Sequence, residues 1–234
     1  MFVYTGDSWA LKGFTEKNYN IGNRLPMPED KRMADYWNEP YTGCFAPGNG
    51  NLSVLDKLVT MNLPSNVPII WIYTEPGRDY GRITGKPEFD WIKSEDIFSI
   101  RKDLDYKIIK TISEKLSNPI SFIGGLSDVD VNLLQNFGFS CLHNSWQQWI
   151  AERLDRTDYF KFGWGASDVG WRADYNNVKP SKTALFAWDE LIKEWCMWDE
   201  LGFMCHEHPT PMANKLFAEH LEHAVSIWIK SVKK

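Results

Sequence analysis

The sequence predicts an α/β fold, a five-stranded parallel sheet with helices on both faces, and three observations predict it. Short apolar runs recur at Phe2–Thr5, Tyr41–Phe45, Pro68–Tyr73, Ile120–Ile123 and Phe139–Leu142. Each is separated from the next by enough chain for a crossover helix, as parallel neighbours require. The runs are continuous and not alternating, the pattern of strands buried on both faces. The second run is the most diluted, by Gly43 and its polar neighbours, and its assignment rests mainly on the segment that follows it.

Helical spacing fills the gaps. Residues 51–61 carry Leu52, Leu55, Leu58 and Val59 along one side, and residues 103–116 carry Ile108, Ile109, Ile112 and Leu116. Asn118-Pro119 then stops the second helix, because the residue before a proline avoids helical geometry. Ser181 is the expected N-cap of a helix reaching about Leu201, with a stripe of Leu185, Trp188, Ile192 and Trp195. A final helix is expected from Pro209 through Met212, Leu216, Leu221, Val225, Trp228 and Val232, its carboxyl end favoured by Lys230, Lys233 and Lys234. Its polar face mixes both charge signs, which suits a docked core helix better than a membrane surface. Two segments, near 75–97 and 155–180, read as long loops rich in Pro, Gly or aromatic residues, and such loops often bind or cover a ligand. The 234 residues otherwise read as a single domain, 1–234.

Composition narrows the function classes. A net charge of -5 argues against a sequence-independent grip on nucleic acid. No apolar stretch is long enough to span a bilayer, and no basic segment followed by an apolar signal run opens the chain. A cytoplasmic protein whose mature chain starts at Met1 is the expectation, with virion association if the source is viral. Cys44, Cys141, Cys196 and Cys205 form no C-x-x-C pair, so reduced thiols are expected and a zinc or redox motif is not. The 12 tryptophans serve mostly as core or loop anchors on this reading. Trp9, Trp146, Trp149, Trp164 and Trp171 are the candidates for lining a cleft that takes a carbohydrate or another flat substrate.

The chemistry is concentrated where strands end. Ser8 follows the first strand through Thr5-Gly6-Asp7, which places it at the carboxyl edge where open α/β sheets bind ligands. Gly48 follows the second strand in Ala46-Pro47-Gly48-Asn49-Gly50, and a glycine N–H can approach a substrate oxygen closely. Thr74-Glu75-Pro76-Gly77-Arg78 follows the third, and His208 stands before the last helix. In a sheet of order 2-1-3-4-5 these ends converge at the switch point between strands one and three. A hydroxyl, an imidazole and oxyanion donors are what serine attack on an acyl group needs.

These residues resemble the SGNH, or GDSL-type, hydrolases: Gly6-Asp7-Ser8 near the start, a lone glycine after strand two, and His208-Pro209 before the last helix. The resemblance covers the whole chain in order, although its literal motifs are short. It implies a flavodoxin-like three-layer sandwich, Ser8 as nucleophile, His208 as base, and the N–H groups of Ser8 and Gly48 in the oxyanion hole. The stretch with Thr74 and Arg78 is similar to members found in bacteriophages. The implied activity is hydrolysis of an acyl or acetyl ester, on a carbohydrate or a small molecule, with Trp9 and Asn49 as substrate contacts and no cofactor.

Two departures stand against it. The family's aspartate three positions before the histidine is Cys205 here, and the G-x-N-D after strand three is missing. Glu207, Cys205 or a backbone carbonyl could orient His208, and Thr74 or Arg78 could supply the missing donor. The alternative is a scaffold that has lost turnover and serves as a glycan-binding or assembly module.

Other readings of the same residues are weaker. Ser8 could simply cap the next helix, with Asp7 fixing the turn by local hydrogen bonds. Arg78 could hold a substrate carboxylate or sulfate, or pair with Glu75 or Asp79. His206, His208, His220 and His223 offer no recognisable third metal ligand. Gly48-Asn49-Gly50 lacks the third glycine of a dinucleotide fingerprint, and Gly81 to Lys86 is one residue short of a P-loop and runs into Pro87.

Overall fold

A computed structural model describes residues 1–6, 10, 31–46, 49–86, 97–125, 128–146, 149, 204–205, 208–209 and 211–233. Strands β1 (Phe2–Gly6), β2 (Tyr41–Phe45), β3 (Ile69–Tyr73), β4 (Ile120–Gly124) and β5 (Ser140–His143) form one parallel sheet of order 2-1-3-4-5. Both faces are covered, giving the flavodoxin-like three-layer arrangement. The helices are α1 (Asn51–Thr60), α2 (Tyr80–Thr84), α3 (Ile97–Lys115), α4 (Val131–Asn136) and α5 (Pro211–Val232). A short antiparallel pair, β6 (Met204–Cys205) and β7 (His208–Pro209), precedes α5.

Strand pleat sorts the core into two clusters, because successive side chains leave a strand on opposite faces. Phe2, Tyr4, Ile70, Ile72 and Ile123 meet Phe217, Leu221, Val225 and Ile229 of α5, together with Met33, Ala34 and Trp37. Val3, Ile69, Trp71, Ile120 and Phe122 meet Leu52, Leu55 and Leu58 of α1 and Ile108, Ile109 and Ile112 of α3. Tyr4, Trp71 and Phe122 are wholly buried, the state expected of central strands in such a sandwich.

The 22 residues of α5 span about 33 Å, and the direction of the helix is fixed at both ends. Near its start, Asn214 Nδ2 donates to the Lys31 carbonyl at 3.0 Å and Phe217 packs on the ring of His143, at the carboxyl end of β5. Near its finish, Lys233 reaches Glu39 at 3.2 Å, close to where β1 begins. The helix therefore runs antiparallel to the strands and starts at their carboxyl rim.

Several expectations are corrected. The last helix begins at Pro211, not Pro209: of the two prolines in His208-Pro209-Thr210-Pro211, the first pairs with Met204 in the β6–β7 ladder and the second takes the helix start. Helix α3 starts at Ile97, six residues before the expected Asp103, and Arg101 in its second turn is held by partners on and off the helix. Arg101, 6% exposed, sits 3.6 Å from Asp105, donates to the Asp128 carbonyl at 3.3 Å, and Asp105 accepts from the Tyr73 hydroxyl at 2.6 Å. The 75–97 segment is not all loop. Pro76–Asp79 forms a 3-10 turn and α2 follows, closed by Gly85 at φ 70°, so the P-loop-like glycines belong to a helix and its cap.

Trp146 and Trp149 are core residues, not cleft residues. They are 0% and 4% exposed, and Trp146 stacks on Phe217 at 4.9 Å and 10°. Trp9, Trp164, Trp171, the Ser181–Leu201 helix and the 155–180 loop lie outside the described residues. Among the described residues no helix is long and apolar enough to cross a membrane.

Candidate functional site

The carboxyl rim is built around the end of β1. Gly6 closes that strand at φ 152°, a conformation that L-residues rarely adopt, and its carbonyl accepts the Ala46 N–H at 3.0 Å. Ser8 lies two residues beyond Gly6 and, with Asp7 and Trp9, outside the described residues.

The segment from β2 to α1 is anchored at this end by its two flanks. Ala46 is tied to Gly6 of β1, while Asn51, the first residue of α1, is tied to Thr74 just past β3, on the other side of β1. Asn51 Nδ2 donates to the Thr74 carbonyl at 2.9 Å, and its Oδ1 accepts the Thr74 N–H at 3.1 Å. Both residues are 0% exposed. Asn49 folds back by donating its N–H to the Ala46 carbonyl at 3.1 Å and its side chain is exposed. Gly48, between these anchors, lies outside the described residues.

A second tie joins the same elements. Helix α1 has Gly50 at its N-cap, which offers no side chain, and the Asp79 carboxyl takes that place by accepting the Leu52 N–H at 3.2 and 3.3 Å. A methyl group on Gly50 would run into this carboxyl. Burial pushes the pKa of Asp79 up to about 6, against the pull of the Leu52 and Asn51 N–H groups and the Arg82 and Arg78 charges. The folded chain thus binds this proton more tightly than the unfolded chain, so the contribution is present at low pH and is lost as pH rises from about 4 to 6. The difference in stability between wild type and Asp79→Asn should fall by up to roughly 3 kcal/mol across that window. Urea titrations of both proteins from pH 4 to 7 measure it; parallel pH curves would contradict the buried placement of the carboxyl.

The remaining candidates sort by geometry. Thr74 is buried and its backbone N–H is committed to Asn51, so that group is not available as the oxyanion donor. Arg78 lies 3.7 Å from Glu75, with side chains 26% and 15% exposed, which is the ion-pair reading of this arginine. Cys205 and His208 are direct partners in the β6–β7 register, and His206 and Glu207, between them in sequence, lie outside the described residues. Burial raises the thiol pKa of Cys44, and that of Cys141 to about 11, so neither is a thiolate near neutral pH.

Asn51 and Asp79 are the rim residues that the sequence reading passed over. Asn51 entered only as a helix start and Asp79 only as a partner for Arg78, and a Gly-Asn pair opening an apolar helix was the available signal. His143 also ends at this rim, its Nδ1 accepting the Ser145 N–H at 3.2 Å. Two strands, β3 and β4, separate β5 from β1, about 14 Å in all, so His143 stands well away from the end of β1. Its ring packs on Phe217 and on His220, both residues of α5. Among the described residues no group of three His, Cys, Asp or Glu is placed to hold a metal ion. No family model, curated protein or solved structure matches this chain.

Proposed function

We propose that this chain is an SGNH-type serine hydrolase that cleaves an acyl or acetyl ester with a Ser8 and His208 dyad. The observation that carries the reading is the strand order. With β1 between β2 and β3, strand β1 ends at the switch point, and the α5 helix that follows His208 starts at the same rim.

In the proposed reaction the Ser8 hydroxyl attacks the acyl carbon while His208 takes its proton. The tetrahedral oxyanion is held by the Ser8 and Gly48 N–H groups, with Arg78 as the charged donor. Collapse expels the alcohol, which leaves with the proton from His208, and water activated by the same imidazole then frees the acid and Ser8. A glycan acetyl ester is the substrate class to test first. No cofactor enters these steps.

One observation favours the second reading, a glycan-binding or assembly scaffold without turnover: the Thr74 N–H, beside the position of the missing asparagine donor, is already occupied by Asn51. A chromogenic acetyl ester assay with wild type and Ser8→Ala, joined to labelling by a fluorophosphonate and peptide mapping, separates the two. The hydrolase should be labelled at Ser8 and its turnover should vanish in Ser8→Ala. Equal background activity in both proteins with Ser8 unlabelled would leave only the scaffold.

A further inference from the structure

The 3-10 turn Pro76–Asp79 and helix α2 form a short strap, and one buried carboxyl joins it to α1. Asp79 is 2% exposed and accepts the Leu52 N–H from both of its oxygens, in the space that Gly50 leaves by having no side chain. We propose that residues 76–84 are a pH-operated strap on the first turn of α1, closed while Asp79 is protonated and released locally once it ionises. Nothing in this device depends on the Ser8 and His208 dyad.

A buried carboxylate is tolerated when a cation pairs with it and is costly otherwise. Here the surrounding cations have other partners. Arg82 of α2 bonds Asp56 of α1 at 2.7 Å, and Arg78, in the turn itself, lies 3.7 Å from Glu75. Toward β3 and α3, the Tyr73 hydroxyl donates to Asp105 at 2.6 Å and Arg101 sits 3.6 Å from the same carboxylate. The Leu52 and Asn51 N–H groups favour the charged form of Asp79, but burial outweighs them and raises its pKa to about 6. Once ionised, the carboxyl regains water only by leaving α1. The strap is short enough to move without unfolding the core, as local openings of folded chains commonly do. Its turn has four residues and α2 five, and the other polar tie to α1, Arg82 to Asp56, has side chains 47% and 59% exposed, a kind of pair that contributes little. The Asn51–Thr74 bonds precede the strap and hold α1 to the end of β3 in either state. Buried Pro76 and Tyr80 supply the packing that reseats the strap when the proton returns.

Amide hydrogen exchange read residue by residue at pH 4.5 and 7.5, corrected for the intrinsic pH dependence of exchange, tests this in wild type and Asp79→Asn. In wild type the protection of the Leu52 amide, whose acceptor is Asp79, should fall about 10- to 30-fold between the two pH values. Trp71 of β3 and Ile109 of α3, both in the core, should keep theirs. In Asp79→Asn the side-chain oxygen still accepts the Leu52 N–H and nothing there titrates, so Leu52 protection should change less than about twofold. The Asp79 carboxyl carbon, followed by NMR in wild type, should titrate with the midpoint at which Leu52 protection is lost, a comparison that stands even where the variant does not fold. Constant Leu52 protection in wild type, a loss shared equally by Trp71 and Ile109, an equal loss in Asp79→Asn, or midpoints that differ would each overturn the proposal.

Discussion

Replacing Cys205 with aspartate should, in the proposed Ser8 and His208 dyad, raise kcat/KM for ester hydrolysis by about 10² to 10⁴. The upper figure is the cost of losing the orienting carboxylate in a well-studied serine protease triad, run in reverse. The register makes position 205 the right place to restore it. Cys205 and His208 are paired directly across a two-stranded antiparallel ribbon, and direct cross-strand partners are in general close enough to interact. A neutral thiol is a weak hydrogen-bond partner and does little for a developing imidazolium, whereas a carboxylate fixes the ring tautomer and stabilises its charge. The sign of the pH effect follows from the same charge. A neighbouring carboxylate raises the imidazole pKa, so the acid limb of kcat/KM should move to higher pH in Cys205→Asp. Activity measured from pH 5 to 9 on both proteins gives the gain and the shift together. A variant that folds, still labels at Ser8 and gains nothing would show that residue 205 does not orient His208.

The second large effect concerns stability. Gly6→Ala should destabilise the fold by about 4 kcal/mol, lowering Tm by roughly 8–16 °C for a chain of this size. Two costs combine there. The φ of 152° is strained for any residue with a Cβ, and that Cβ would stand 2.8 Å from the Ile72 carbonyl oxygen and 2.8 Å from the Ala10 Cβ. Neither neighbour can yield cheaply, since one is backbone in a central strand and the other is buried. Gly85→Ala is the matched control: it also has positive φ, at 70°, but nothing lies within 4 Å of the new methyl group, so about 1 kcal/mol is expected. Thermal and urea unfolding of the two variants measure the contrast. Equal losses would mean that β1 does not end against β3 as described.

How legible the fold was depends on the kind of signal each element carries. The five strands were readable to within a residue or so at each end, because runs such as Ile69-Ile70-Trp71-Ile72-Tyr73 admit burial on both faces and little else. Helix α1 was readable from its stripe of leucines. The start of α3 was not, because Arg101 reads as surface until its partners Asp105 and the Asp128 carbonyl are known. Helix α4 was also passed over: it is only six residues long and its N-cap, Asp130, bonding the Leu133 N–H at 3.0 Å, was the one local cue. Trp146 and Trp149 could be read as core or as cleft, since a tryptophan serves either, and only packing against Phe217 decided.

The same division runs through the rim. By itself the sequence determined the α/β class, the strand boundaries and which short motifs stand at strand ends, because these follow from local apolar runs and their spacing. Only the tertiary structure decided that α5 starts at Pro211, that the Thr74 N–H is taken by Asn51, and that Asp79 closes α1. Each of these joins residues 23 or more positions apart or chooses between two equivalent prolines, and a pairing across space leaves no period in the chain to read.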